Sequence, residues 1–283
     1  MTQLILIHIG PELPLFINDC IKQVKLFTDV SIHVLVNKCN IPLLPGDVIA
    51  VPLEDIPVQP EHQSFINNTK LELAFRNGFW RYTTERFYYL YDYSIHKNLK
   101  DIFHIETDNM IYSDFTKYLN QFQTKLMWAT FDSERRCIPG FVYFKNTWIL
   151  QQLVKFILTQ SGNDMETLSR FKDLYLEDVG YLPIIYKYQD SIPEKYSNEV
   201  CKFNCLFDAA CVGQYIGGVD PNNVDGRDTV GFINETCVFK CDRANVEWVT
   251  LNNLKVPYLN GLPLTNLHIH CKDLQKWASN KIG

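Results

Sequence analysis

The first fifty residues alternate between short apolar runs and an amphipathic stretch. Residues 3–9 are almost continuously apolar, which is typical of a parallel strand buried on both faces. The pattern over 14–27 predicts a helix, and 31–36 and 48–51 predict two further strands. Strands and a helix in this order predict a parallel sheet with right-handed crossovers.

The remainder of the chain extends this pattern and then becomes less regular. An aromatic-rich amphipathic stretch over 64–96 predicts one or two helices, with Gly78 as the break. The other predicted elements are strands at 101–106, 126–130, 140–144, 230–239 and 246–250, helices at 113–124, 147–160 and 164–175, an alternating run at 267–272 and a short helix ending near Trp277. We therefore predict an α/β fold with a Rossmann-type, mainly parallel central sheet flanked by helices and a less regular C-terminal part.

Composition narrows the class of protein. The 283 residues suffice for one large domain or two small ones, and 46% hydrophobic and 21% charged residues are typical of soluble globular proteins. A formal net charge of -5 without a basic run argues against nucleic acid as a partner. No apolar stretch reaches the roughly 18 residues of a membrane span, and the N-terminus lacks the basic region of a signal peptide.

Nine scattered cysteines favour reduced thiols and a cytoplasmic location. Cys201 with Cys205, and Cys237 with Cys241, have spacings compatible with structural zinc. Aromatic residues around both pairs favour the alternative that these thiols lie in the core.

The segment 101–112 carries the most informative polar residues. Its apolar run ends in Glu106, Thr107 and Asp108, and Asn109 follows directly. Carboxylates at the carboxyl end of a strand lie where open α/β sheets bind ligands, and they suit Mg²⁺ or Mn²⁺ completed by substrate phosphates. The alternative is a strand followed by an ordinary Asp/Asn turn.

The C-terminal run 267–272 alternates apolar and polar side chains. A strand period of two places His268 and His270 on one face, with Lys272 one step further along. Two imidazoles and an ammonium group on one edge can bind a metal and an anion together. The alternative is a surface strand with incidental polar residues.

Two further segments contain candidate residues. Glu177 and Asp178 follow a predicted helix and fit either a general base, an acceptor-hydroxyl ligand or a helix cap. The segment 207–220, which includes Asp208, is dense in small residues and permits close backbone approach to a ligand or to a neighbouring helix. The spacing does not choose between these options.

Taken together, these motifs resemble those of GT-A nucleotide-sugar glycosyltransferases, and their order is closest to the glycogenin-like branch. The family's first strand ends at the nucleotide base, which matches the segment with His8 and Gly10. A basic residue on the helix before the acidic motif matches Arg86 or Arg81. The family's Asp-x-Asp motif aligns with 106–108, where Glu106 replaces the first Asp.

The resemblance continues into the second half of the chain. The family's glycine-containing strand that ends in asparagine looks like 140–146, and its next acidic motif looks like 177–178. Its C-terminal His-x-x-Gly-x-x-Lys is echoed by His270-Cys-Lys272, without the glycine and with shorter spacing, which leaves open whether His268 or His270 completes the metal shell. A weaker resemblance connects the chain to uncharacterised glycosyltransferases of large DNA viruses.

The resemblance implies one GT-A-like catalytic domain over 1–283. Its nucleotide-binding half would be 1–125, and 126–283 would form the acceptor side and the C-terminal metal and diphosphate segment. The implied ligands are Mn²⁺ or Mg²⁺ on Glu106, Asp108 and His270, and a nucleoside-diphosphate sugar with UDP as the expected carrier. The implied donor-binding residues are His8, Gly10, Arg81, Arg86, Glu106, Thr107, Asp108 and Lys272.

The implied reaction transfers the sugar to a hydroxyl of a glycan, protein or lipid. A base would deprotonate this hydroxyl in an inverting reaction, with Asp178 as first candidate and Glu177 and Asp208 next; a retaining reaction requires no such base. A homodimer is one option for the assembly, and the host cytoplasm is the expected location if the chain is viral.

Two other functions fit parts of the pattern. One is a catalytically inactive GT-A-like module that binds a nucleotide or a glycan. The other is a nucleotidyltransferase, although the chain contains neither Gly-x-x-x-x-Gly-Lys nor Gly-x-Gly-x-x-Gly.

Overall fold

The computed structural model describes residues 2–186, 192–223, 227–243 and 245–280. Its strands are β1 (Gln3–His8), β2 (Ser31–Val36), β3 (Ile49–Pro52), β4 (Lys100–Ile105), β5 (Asn109–Ile111), β6 (Met127–Ser133), β7 (Arg136–Asn146), β8 (Val179–Tyr181), β9 (Val246–Leu251), β10 (Leu254–Leu259), β11 (Leu262–Pro263) and β12 (Asn266–His268). Seven of them form the central sheet, in the order β3-β2-β1-β4-β7-β6-β8. Only β7 runs antiparallel to its neighbours, so the predicted mainly parallel sheet is confirmed.

Helices cover this sheet. They are α1 (Phe16–Lys25), α2 (Pro60–Asn68), α3 (Phe79–Lys97), α4 (Leu119–Phe122), α5 (Thr147–Leu158), α6 (Asp164–Leu174), α7 (Val200–Phe203) and α8 (Cys211–Gly217). α3 packs on β1 and α5, and α6 packs on β7. The α/β class with flanking helices is therefore confirmed, and in the described residues no helix is long and apolar enough to cross a bilayer.

The local patterns explain these elements. The four central residues of β1 are buried, as expected for an apolar run covered on both faces. α1 buries Ile17, Cys20, Ile21 and Val24, which lie on one helical face. Gly78 adopts a left-handed conformation (φ 85°) at the break before α3, as predicted. One core cluster includes residues from both predicted halves of the chain, while the division into those halves stays a prediction.

The prediction of strands over 230–239 was wrong. This region consists of turns, and Cys237 and Phe239 are nevertheless buried. The ammonium group of Lys240 donates hydrogen bonds to the backbone carbonyls of Asn234, Glu235 and Cys237. These carbonyls are thus satisfied by a side chain instead of a strand ladder, and Val230, Phe232 and Ile233 remain exposed.

The structure also differs from the predicted helix over 113–124 and does not support the proposed zinc pairs. The helix predicted over 113–124 is a 3₁₀ turn, Phe115–Tyr118, followed by the single turn of α4. All nine cysteines are free thiols, and among the described residues neither proposed zinc pair belongs to a close group of three metal-ligating side chains. The zinc interpretation is therefore not supported.

Two small antiparallel sheets complete the fold. β9, β10 and β11 form one of them. β12 pairs with β5 in the other, and His268 lies opposite Asn109. Because β5 follows the acidic motif directly, this pairing brings the C-terminal segment to the carboxyl end of β4.

A buried charge network joins α2 to α3. His62 is completely buried, with Nδ1 2.6 Å from a carboxylate oxygen of Asp92 and Nε2 3.4 Å from one of Glu85. Its ring also stacks with Tyr88. His62 is the cationic partner of the completely buried Asp92, which among the described residues otherwise accepts only the N–H of Gln59 at 3.2 Å, whereas Glu85 also contacts Arg81.

We expect His62→Ala to lower the free energy of unfolding by about 3–5 kcal/mol, since it leaves two buried carboxylates without their shared partner. Urea unfolding measures this loss. His96→Ala, at an exposed position of α3, is the control and should change stability little. Equal losses in the two variants would contradict a supporting role for the network.

Candidate functional site

Asp108 lies at the centre of the site, in the turn between β4 and β5. The N–H of Asn109 donates to the carbonyl of Glu106 over 3.0 Å and closes this turn. The N–H of Ile269 donates to the carbonyl of Asp108 over 2.9 Å, so the C-terminal segment is attached directly to the acidic motif. The motif is therefore fixed by backbone hydrogen bonds from two distant parts of the chain.

Three cationic side chains surround the two carboxylates of the motif. Nε2 of His268 lies 2.8 Å from Glu106 and 3.1 Å from Asp108. Lys272 forms an ion pair with Asp108, and Arg86 forms one with Glu106. Arg86, and not Arg81, is thus the helix residue that reaches the motif.

The pKa values follow from these contacts. Burial alone would raise the pKa of Glu106, but Arg86 and His268 hold it well below its usual range. The pKa of Asp108 is likewise lowered, against burial, mainly by Lys272 and His268. Burial lowers the pKa of an imidazole, yet the two carboxylates raise that of His268 to about 10. The motif is therefore a pair of ionised carboxylates facing an imidazolium.

His270 is held differently from His268. Burial, followed by the charges of His268 and Lys272, lowers its pKa to about 3, so its ring is neutral. The two imidazole rings lie 4.3 Å apart, which confirms that the alternation over 268–270 brings them together. The run does not continue as a strand to Lys272, which lies in a turn with φ 65° but still reaches Asp108.

Asp108, His268 and His270 could together hold a metal ion. Their ligand atoms all lie within 4.8 Å of one another, and a carboxylate with two imidazoles is a donor set used by divalent transition metals. These residues fit the expected cation once His268 has lost the proton that it carries in the absence of a metal, since only a neutral imidazole can be a ligand. Both imidazoles belong to the group. Glu106 is not part of this group; its carboxylate contacts Arg86 and His268, and its role as a direct ligand stays a prediction.

A chain of buried side-chain amides holds the surrounding segments together. Asn109 donates to the carbonyl of Gly140 over 2.8 Å and accepts from Asn266 over 2.7 Å. Asn266 in turn accepts the backbone N–H of Asp208 over 3.1 Å. One line of hydrogen bonds therefore connects β7, β5, β12 and the start of α8.

Two glycines give His268 its space. A Cβ on Gly140 would lie 2.6 Å from Nδ1 of His268 and 2.7 Å from the amide nitrogen of Asn109. A Cβ on Gly213 would overlap the backbone carbonyl oxygen of His268. The sequence left open whether the small residues of 207–220 approach a ligand or another part of the protein. At Gly213, the lack of a side chain permits close approach to the strand that carries His268.

The predicted bases lie in different places. Asp208 is next to the site, and its carboxylate accepts the backbone N–H groups of Val212, Gly213 and His268 at 2.9–3.0 Å. It therefore caps α8 and anchors His268, and a role as base remains a prediction.

Glu177 and Asp178 do not reach the site. They directly precede β8, which runs parallel to β6, and the carbonyl of Asp178 accepts the N–H of Met127 at the start of β6. Because β6 points the same way as β4, both carboxylates lie at the amino-terminal edge of the sheet, opposite Asp108. Their assignment as catalytic base is not retained.

Four other residues predicted to bind the donor lie at different positions: Thr107 is in the acidic motif, His8 and Gly10 are at the end of β1, and Arg81 is on α3. His8 ends β1, and its Nε2 lies 2.7 Å from the carbonyl of Glu12. The N–H of Gly10 donates to Asn37 over 2.8 Å. Thr107 is half-buried in the motif's turn, whereas Arg81 contacts Glu85 at 3.6 Å.

Two residues that contact side chains of the candidate site were not predicted from the sequence. Asp164, at the start of α6, is buried and lies 2.9 Å from Arg86. Gln214, on α8, lies 2.6 Å from Nδ1 of His270. Asn163 caps α6 and Asp164 lies in its first turn, a place where an acidic residue is common, so its sequence position carries no signal of a contact with Arg86.

No protein-family model matches this chain, and no curated protein matches its sequence. Several solved structures are similar. Mouse xyloside xylosyltransferase 1 in its apo form shares 7% identity over 64% of this chain and 85% of its own, with a TM-score of 0.43. Galactosyltransferase LgtC, in complex with donor and acceptor sugar analogues, shares 11% identity over 64% of this chain and 73% of its own, with a TM-score of 0.41.

A nucleotide-diphospho-sugar transferase described as putative, from Desulfovibrio desulfuricans G20, shares 10% identity over 64% of this chain and 79% of its own, with a TM-score of 0.38. By their names, all three proteins belong to the class that the sequence motifs resemble. With identities this low and TM-scores below 0.5, the function has to be inferred from the chain's own site.

We expect Gly213→Ala to lower the free energy of unfolding by about 1–3 kcal/mol, because the new methyl group forces α8 away from His268. Helix propensity alone predicts the opposite sign, a gain of about 1 kcal/mol. Urea unfolding distinguishes the two effects. Gly46→Ala is the matched control, since nothing lies within 4 Å of its Cβ position; a stabilised Gly213→Ala protein would refute the close packing.

Proposed function

We propose that this protein is a cation-dependent glycosyltransferase that moves a sugar from a nucleoside-diphosphate sugar to a hydroxyl acceptor. The observation that carries the proposal is the meeting of Asp108, His268 and His270 beside Lys272 and Arg86 at the carboxyl end of β4. Ligands of open α/β sheets bind at this edge. The similar solved structures agree in class but add no residue-level support.

The charges of the site suit a departing diphosphate. Cleavage of the sugar–phosphate bond leaves negative charge on the nucleoside diphosphate, and fixed positive groups lower the barrier by stabilising it. A divalent cation on Asp108, His268 and His270 would supply Lewis-acid stabilisation of this charge. Lys272, which forms an ion pair with Asp108 and is partly exposed, would supply a second positive group for a phosphate oxygen.

The donor sugar would lie beside Arg86. This guanidinium is buried and contacts both Glu106 and Asp164, so it is held in place before a substrate arrives. Such an arrangement orients polar groups at no cost during the reaction. The nucleoside would extend toward His8 and Gly10 at the end of the neighbouring strand β1.

Asp208 is the remaining candidate for an acceptor base, because Glu177 and Asp178 lie at the other edge. Its three backbone contacts make it primarily an anchor for His268 and α8. The acceptor, the expected UDP carrier, a homodimer and a cytoplasmic or host-cytoplasmic location stay predictions, as does the resemblance to viral enzymes.

We expect one nucleoside diphosphate among UDP, GDP and dTDP to raise the melting temperature of the protein in the presence of Mn²⁺. A ligand at a hundred times its Kd stabilises the folded state by about 2.7 kcal/mol. Asp108→Asn should abolish this cation-dependent shift because it removes the only carboxylate of the metal-ligating group. Asp178→Asn, at the opposite edge of the sheet, is the matched control and should keep the full shift.

Hydrolysis of the corresponding nucleotide sugar then separates an enzyme from an inactive binding module. Release of free sugar by the wild type, lost in Asp108→Asn, supports glycosyl transfer. A nucleotide shift of equal size in both variants, or one independent of Mn²⁺, would remove the basis of the proposal.

A further inference from the structure

Gln214 is the residue of α8 that reaches the candidate cation site. Its side-chain amide nitrogen lies 2.6 Å from Nδ1 of His270. Since Nδ1 is occupied by this contact, Nε2 is the imidazole nitrogen that remains for a cation. The amide therefore controls which nitrogen of the ring carries the proton.

The orientation of the amide decides whether His270 can bind a cation. With the amide nitrogen donating to Nδ1, the proton of the neutral ring must sit on Nε2, which then has no lone pair to offer. With the amide oxygen accepting a proton from Nδ1–H, the lone pair of Nε2 is free. Metal-binding histidines almost always donate their second N–H in this way.

The surroundings of Gln214 permit the second orientation. Its side-chain oxygen is buried and has no hydrogen-bond partner among the described residues. Exchanging the amide oxygen and nitrogen therefore breaks no bond of the oxygen and makes the NH₂ group the buried end without a partner, while the contact with Nδ1 of His270 is kept with its direction reversed. The two ends of an amide are nearly equal in size and shape, and the exchange needs no movement of neighbouring atoms.

The backbone of Gln214 is held firmly in position. Asp208 accepts the N–H groups of Val212 and Gly213, which fixes the first turn of α8. The same carboxylate accepts the N–H of His268, and Gly213 packs against the carbonyl of His268. Helix α8 and the 268–270 segment therefore form one unit, in which Gln214 faces His270.

We propose that Gln214 is a positioning residue: its side-chain oxygen accepts a hydrogen bond from Nδ1–H of His270, which keeps the proton on Nδ1 and leaves Nε2 available for a divalent cation. This inference rests on the cation site of the proposed function. It assigns a role to α8, whose small residues the sequence analysis left unexplained.

The test measures Mn²⁺ binding to the full chain, without nucleotide, by calorimetric titration and by electron spin-echo spectroscopy of the imidazole nitrogens. Gln214→Met has a similar volume but cannot accept this hydrogen bond, and we expect it to weaken Mn²⁺ binding about 10–100-fold and to diminish the nitrogen coupling. Gln214→Glu can only accept, so it should retain at least wild-type affinity and the full coupling. Gln63→Met, at an exposed position of α2, is the control and should behave as wild type.

Every outcome of this test either supports or contradicts the role proposed for Gln214. Loss in Gln214→Met with retention in Gln214→Glu supports it. Unchanged binding by Gln214→Met overturns it and leaves the cation site intact, and equal losses in both variants overturn it because the amide nitrogen would then be the required group. Absence of Mn²⁺ binding in the wild type overturns this inference together with the cation site of the proposed function.

Discussion

The short ribbon between β5 and β12 is the contact on which the site depends. Only three residue pairs form it, and the bond from the N–H of Ile269 to the carbonyl of Asp108 extends it by one step. Its register places His268 opposite Asn109, immediately after the acidic motif. A slip of one residue would turn His268 to the other face of the ribbon, so this register determines whether a cation site exists at all.

The register is fixed mainly by polar contacts. The amides of Asn109 and Asn266 bond to each other, and Asn109 also bonds to Gly140. Buried amides without these partners would cost about 1–3 kcal/mol each, so a shifted ribbon is penalised even though its apolar contacts could re-form. The amide chain therefore specifies one alignment of segments that lie more than 150 residues apart.

The charged side chains at the site lie beside partners of opposite sign. The carboxylates of Glu106, Asp108 and Asp164 face Arg86, His268 and Lys272. Buried charges are tolerated when they are paired in this way, and removing one partner is far more costly than the pair itself is stabilising. In the proposed reaction, Asp108 and Lys272 would separate from each other. Asp108 would then contact the cation and Lys272 the diphosphate, so each would again have a partner of opposite charge.

Sequence patterns predicted the local elements and part of the site, for physical reasons. Strand β1 and helix α1 are encoded by periodicity within a few residues, and Asp108 is marked by its place at a strand end. Asp164 could not be found in this way, since its partner Arg86 lies 78 residues earlier. Glu177 and Asp178 were misassigned because the sequence does not reveal at which edge of the sheet β8 begins.

Helix α8 contains a small residue, Gly213, because its backbone packs closely against that of His268. The sequence left open whether 207–220 approaches a ligand or a neighbouring element. The overlap that a Cβ on Gly213 would have with the His268 carbonyl shows that the backbone of the 268–270 segment itself fills this space. Since Asp208 bonds to the backbone of both elements, any substitution that moves α8 also moves His268. Asp208 and Gly213 are therefore constrained by the position of His268, which lies 60 residues after Asp208.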